Sequence, residues 1–142
     1  MTVAYLDTSA AMKLVLEEPE SESLAAQLAA CDGVRLVSSW LLHTEMHCAA
    51  GRHPDDVDLD AVRAVLDTVH LIDLTRGDML AAGTHSPLRS NDAIHMAVAL
   101  RVGADEIVTY DAELADRTRA AGLSVLAPGA GSPIRRATSP GA

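Results

Sequence analysis

The chain has 142 residues and a formal net charge of −9, long enough for one domain with its own core and of the wrong sign for a broad basic surface that grips nucleic acid by counterion release. Hydrophobic residues make up 49 % and aromatic ones 2 %, with no Phe, so the core must be built from Leu, Val, Ala, Ile and Met. Cys31 and Cys48 form no CxxC pair, the first residues lack the pattern of a secretory leader, and no run nears the ~20 apolar residues of a membrane span, so a reduced, soluble, cytoplasmic protein is expected.

The first element is the apolar run Val3 to Leu6, which stops on Asp7, Thr8 and Ser9 and reads as a short buried strand with a carboxylate at its exit. "SAAMKLVLEEPESESLAAQLAA" predicts two helices divided at Pro19, with Ser21 capping the second. "VRLVSS", Val34 to Ser39, is a second strand, and "WLLHTEMHCAAGR" a helix ended by Gly51 and Pro54. After the polar break "HPDDVDLD", "AVRAVLDTVHLI" has helical spacing and leads into a third strand at His70 to Leu74. "RGDMLAAGTHSPLRS" gives a short helix and a turn at Pro87. "NDAIHMAVALRVG" is apolar on almost every side, which predicts a buried helix stopped by Gly103. "EIVTYD" is a fourth strand, "AELADRTRAAG" an amphipathic helix and "LSVLAP" a fifth strand. From Pro128 onward turn formers without periodicity predict a mobile tail, so the expected organisation is one domain over 1–127 and a tail over 128–142.

Strands alternating with helices imply an α/β fold with a mostly parallel central sheet of about five strands and helices on both faces. In such a sheet the ligand crevice opens at the carboxyl ends of the strands, where strand order reverses. Asp7 ends the first strand and Asp111 the fourth; Glu45 lies in the middle of the helix after the second strand, and Asp92 in the first turn of the buried helix. Each acid alone has a plain role, as a helix cap or on a solvated face. Together at one end of a sheet they are like charges that need a cation, and hard oxygen ligands suit Mg2+ or Mn2+.

The segments "YLDTSAAMKLVLEE", "SSWLLHTEMHCAA", "LRSNDAIHMAVAL" and "IVTYDAELA" together resemble PIN domains, and specifically the VapC toxins of bacterial toxin–antitoxin pairs, over about residues 2 to 127. The resemblance implies a metal-dependent endoribonuclease acting on single-stranded or looped RNA and silenced by a cognate antitoxin. By position, Asp7, Glu45, Asp92 and Asp111 match that family's acidic quartet, with Thr8, Ser9 and Thr109 as small polar neighbours. Asp7 and Asp92 are then the principal metal ligands, Glu45 a ligand or base, and Asp111 a group acting through water or at a second cation. Cys48 stands where many relatives carry an Arg. Arg89 at the edge of the site is a candidate phosphate contact or simply a surface charge. The partners implied are an antitoxin with a basic segment, an RNA substrate, and a second copy in a homodimer or a toxin–antitoxin hetero-oligomer. The rival reading is a catalytically degenerate PIN domain that only binds RNA or protein.

Other motifs are weaker. "HTEMH" spaces His43 and His47 as in a zinc helix, but Glu45 falls between them, about 200° around from His43. No P-C-x-x-C follows the HxE fragment, as a zinc deaminase requires. "LDTS" lacks the second acid of an aspartyl-phosphate enzyme. A receiver-like module needs a Lys late in the chain, whereas the one Lys is Lys13. His95, one turn beyond Asp92, reads first as a satisfied core residue.

Overall fold

The computed structural model describes residues 1–130. Elements follow in the order β1 (Thr2–Leu6), α1 (Thr8–Met12), α2 (Ser21–Ala30), β2 (Val34–Ser39), α3 (Trp40–Arg52), α4 (Leu59–Asp67), β3 (His70–Ile72), α5 (Arg76–Ala82), α6 (Ser90–Arg101), β4 (Glu106–Val108), α7 (Ala112–Ala120) and β5 (Ser124–Leu126). The strands form one sheet in the order β3-β2-β1-β4-β5, and every pairing is parallel. The α/β architecture expected from the alternation is therefore present.

Side chains of a strand alternate between faces, and β1 shows what each face receives. Ala4 and Leu6 enter a core with Ala10 and Ala11 of α1, Leu24 of α2, Leu42 and Met46 of α3 and Val62 and Leu66 of α4. Tyr5 points the other way, into a core with Met96, Val98 and Ala99 of α6 and Leu114 of α7. Helices thus cover both faces, and the central strand is buried on each side, which is why its sequence is a continuous apolar run.

Several boundaries differ from those expected. The helix before Pro19 stops at Met12 and continues as turns, tightened by bonds such as Lys13 N to Ala10 O and Leu14 N to Ala11 O. Lys13 is drawn to Glu18 and Glu20, at 3.1 and 2.9 Å. Ser21 is not the cap of α2 but its first residue; Glu20 holds the cap position, and the Ser21 hydroxyl instead accepts from Glu18 N at 2.9 Å and donates to Leu16 O at 2.7 Å. Gly51 lies inside α3, whose backbone ladder runs on to His53 N; Pro54 then stops it by excluding helical geometry at His53, which has φ −131° and ψ 60°. Gly103, with φ 71°, does take the left-handed turn that ends α6. The third and fourth strands are shorter than expected because their exits serve as helix caps: Thr75 caps α5 and Asp111 caps α7.

Most of the tail expected from Pro128 lies outside the described residues, of which Pro128 is one, its carbonyl accepting from the Tyr110 hydroxyl at 2.6 Å.

Away from the sheet ends, α5 and α6 are locked by a buried carboxylate. Asp78 closes a capping box with Thr75 and accepts from the Arg101 guanidinium through both oxygens, at 2.7 and 2.9 Å. The Arg101 hydrogen bond above all holds its carboxyl below the usual range. Arg101→Ala leaves that 2 % exposed carboxylate without its main partner, an expected loss of about 1–3 kcal/mol to be read in thermal melting, with the fold retained because the cap remains.

Candidate active site

Strand order reverses between β1 and β4, since the chain leaves β1 toward β2 on one side and β4 toward β5 on the other. The first residue beyond β1 is Asp7, which is 2 % exposed and caps α1. Its Oδ2 accepts from Ser9 N at 3.3 Å, Ser9 Oγ at 2.7 Å and Thr109 Oγ1 at 2.8 Å. With Oδ2 so occupied, Oδ1 faces His95 Nε2 at 4.0 Å. Thr109 also accepts from Asp111 N at 3.1 Å, and Ser9 Oγ from Tyr110 N at 3.0 Å. The two small hydroxyl residues therefore stitch the exit of β1 to the exit of β4.

Glu45 reaches the same end from α3. Its Oε1 accepts from Thr8 Oγ1 and His95 Nε2, each at 2.7 Å, and its Oε2 accepts from Asn91 Nδ2 at 3.1 Å. Burial works to raise its pKa, but the hydrogen bonds from His95, Thr8 and Asn91 outweigh it and hold the carboxyl below its usual range. Helix α3 covers one face of the sheet and α6 the other, so the Glu45–His95 bond closes over the strand ends between them.

Asp92 has the opposite environment. Burial first, then the charges of Asp7 and Asp111, push its carboxyl up to about 6, with partial relief from Arg89 and His95. Asp111 spends Oδ1 on Leu114 N at 2.8 Å as the cap of α7, while Oδ2 stands 3.7 Å from the largely exposed Arg89 guanidinium. An open groove of about 660 Å3 runs past these groups, lined by Glu45, Leu88, Arg89, Ser90, Asn91 and Asp92. A hollow of about 570 Å3 between α5 and α6, lined by Met79, Pro87 and Ile94 among others, carries none of the four acids.

The raised carboxyl of Asp92 has a measurable consequence in the metal-free protein. Because its folded pKa lies above the unfolded one, the folded state binds the extra proton, and stability falls as pH climbs from the unfolded value toward about 6. Asp92→Asn, which mimics the protonated form, is expected to melt with the wild type near pH 3.8 and progressively above it as pH rises, the gap becoming constant beyond about 6. Parallel melting curves at all pH values contradict this environment.

The acids gathered by sequence position thus split into two groups. Asp92 feels the charges of Asp7 and Asp111 at the switch point, whereas Glu45 is tied into a hydrogen-bonded cluster with Thr8, Asn91 and His95. Among the described residues, no three His, Cys, Asp or Glu side chains close into a ready metal-holding group. Asn91 and Tyr5 are what sequence reading missed, and the inward hydrogen bond of His95 is weighed there behind its reading as a core residue. The spacing Asn91, Asp92, His95 places all three on one helical face, and that periodicity is the signal that was available. His43 and His47 turn away from Glu45 as expected and stack on each other, centroids 4.1 Å apart.

Comparison with known proteins shows the family. The model of the PIN domain family matches residues 4–120. The chain is 34 % identical over 132 residues to "Ribonuclease VapC47" of Mycobacterium tuberculosis (strain CDC 1551 / Oshkosh), covering 89 % of this chain and 97 % of that one. It is 37 % identical over 131 residues to "Ribonuclease VapC35" of the same organism, with 88 % and 96 % covered. Among solved structures, that of Mycobacterium tuberculosis VapC20, described as a Sarcin-Ricin loop cleaving toxin, superposes with a TM-score of 0.67 at 18 % identity, over 88 % of this chain and 99 % of that chain. VapBC2 from Rickettsia felis, bound to a DNA fragment from its promoter, superposes with a TM-score of 0.66 at 14 % identity, over 88 % and 98 %. With acids at the switch point of a five-stranded parallel sheet and relatives that match nearly end to end, this chain belongs to the PIN domain family, among the VapC-type ribonucleases.

Proposed function

We propose that this protein is a Mg2+- or Mn2+-dependent endoribonuclease that hydrolyses RNA phosphodiester bonds, and that it is the toxin of a pair silenced by a cognate antitoxin. The observation that carries the reading is the setting of Asp92 beside an open groove, where burial first and then the charges of Asp7 and Asp111 push its carboxyl up to about 6. A stable protein gains nothing from such crowding unless a positive group is to be received there. The donor set fits a hard divalent cation, since every candidate ligand is a carboxylate oxygen.

Asp7 through Oδ1 and Asp92 would hold the ion, with Glu45 as ligand or base and Asp111 as a more distant group. When bound, such an ion supplies charge against phosphate oxygens and makes an attacking water more acidic. The protein's own part is positional. Ser9 and Thr109 fix Asp7 by its other oxygen, and Thr8, Asn91 and His95 fix Glu45. Arg89, exposed at the rim beside Asp111, would meet a phosphate. Purified protein incubated with total cellular RNA and Mg2+, followed by sequencing of new 5′ ends, tests the reading: discrete new ends are expected, and none with EDTA.

Because the acids do not close into a formed metal group, the binding-module reading keeps one observation in its favour. It predicts retarded RNA on a gel with no new ends at any metal concentration.

The partner follows from charge. At −9, with acids lining its groove, the chain attracts a basic segment, and the similar solved structures include VapBC2 and a toxin–antitoxin complex from Klebsiella pneumoniae. Coexpression with the adjacent gene product is expected to give an inactive complex. A homodimer, alone or within that complex, is the assembly proposed.

A further inference from the structure

His95 is 1 % exposed and is held at both ring nitrogens. Nε2 lies 2.7 Å from Glu45 Oε1 and 3.1 Å from Thr8 Oγ1, while Nδ1 lies 2.7 Å from the Tyr5 hydroxyl. A carboxylate only accepts hydrogen bonds, so the Nε2 hydrogen must point at Glu45. Tyr5 comes from the central strand, is fully buried, and meets the imidazole edge-on with ring centroids 5.6 Å apart at 70°. The imidazole is therefore wedged between a core strand and one carboxylate, with no free rotation.

We infer that His95, braced by Tyr5, is a positioning residue that anchors Oε1 of Glu45 and so leaves Oε2 as the oxygen presented to the groove. Two bonds of 2.7 Å, from His95 and Thr8, occupy Oε1, whereas Oε2 takes one longer bond of 3.1 Å from the exposed Asn91 amide. The division is unequal in burial as well as in number: on Oε1 His95 is buried and Thr8 half-buried, whereas Asn91 on Oε2 is exposed on the groove wall. A free glutamate samples many rotamers, and a catalytic one gains rate by having that freedom removed beforehand. This inference rests on the nuclease reading, since it names the working oxygen of a residue that reading employs.

The test compares His95→Gln with His95→Leu. The Gln amide donates from nearly the position of Nε2; Leu fills a similar volume and donates nothing. In RNA cleavage, His95→Leu is expected to lose about 10–100-fold in kcat with KM little changed, His95→Gln to recover most of that loss, and Tyr5→Phe to fall between them. In the metal-free wild type, the Nε2 proton of His95 is expected as a slowly exchanging nitrogen-bound signal by NMR, exchanging rapidly in Glu45→Ala. His95→Leu as fast as His95→Gln in an active enzyme, or a rapidly exchanging Nε2 proton in the wild type, overturns this inference alone. A wild type that cleaves no RNA overturns the nuclease reading and this inference with it.

Discussion

Asp7→Asn is expected to abolish RNA hydrolysis in a chain that still folds. The fold survives because Asn caps a helix about as well as Asp, and the Ser9 and Thr109 hydroxyls that bond Oδ2 can turn to suit an amide. What goes is the negative charge at the floor of the site. If Asp7 is a principal ligand, the rate falls by more than about a hundredfold, beyond what the loss of a group acting through a ligand costs. Removing the charge also relieves Asp92, one of whose pressures is the Asp7 charge, so the metal-free variant melts at or above the wild type. Asp111→Asn is expected to cost less, because one Asp111 oxygen is already committed to capping α7, which Asn also does. Cleavage assays and melting curves on the two variants check this together. An Asp7→Asn protein that is folded and fully active contradicts the assignment; one that is unfolded makes Asp7 a structural cap.

The second large effect is on stability. In the metal-free protein the charges of Asp7 and Asp111 press on Asp92 with only partial relief from Arg89 and His95, and a cation that binds only the folded form stabilises it by mass action. At ~100 times the dissociation constant one site contributes roughly 2.7 kcal/mol, which for a domain of this size is a rise of about 5–15 °C in Tm. Mn2+ or Mg2+ is expected to produce that rise, and Asp7→Asn to shrink it. His43→Ala is expected to leave it unchanged, because His43 stacks between Trp40 and His47 on the face of α3 away from Glu45. A rise abolished by His43→Ala and kept by Asp7→Asn moves the metal to the histidine pair; melting indifferent to both metals removes it.

Asp7 was legible in the sequence because an apolar run of strand length broke off on it, and Asp92 because a carboxylate opened a helix that was otherwise apolar. Their common location followed from the alternation of strands and helices, which fixes parallel pairing and hence a single carboxyl edge. The side-by-side placement of β1 and β4 was not legible, since sequence separation says nothing about which parallel strands adjoin. The stitch between Ser9 and Thr109 depends on that adjacency. Strand ends were overrun at Asp73–Leu74 and at Thr109–Asp111 because the chain there leaves the sheet for the helix that follows, with Thr75 capping α5 and Asp111 capping α7. His95 was half legible. Its apolar surroundings correctly placed it in the core, yet what a core histidine bonds to is set by the strand beneath it and the helix across the sheet edge, here Tyr5 and Glu45. Gly51 misled because α3 runs through it with no left-handed turn, whereas Gly103 with φ 71° does turn the chain out of α6.

The central claim is that carboxylates at the β1–β4 switch point receive a divalent cation on which RNA hydrolysis depends. The most direct measurement is the single-turnover cleavage rate of one labelled RNA as Mn2+ is titrated into metal-free protein, set against the fraction of protein bound at each concentration by calorimetry. The account predicts that rate and occupancy rise along the same curve and that both are lost in Asp7→Asn. Cleavage at full rate in EDTA, or metal binding that saturates with no cleavage at all, contradicts it.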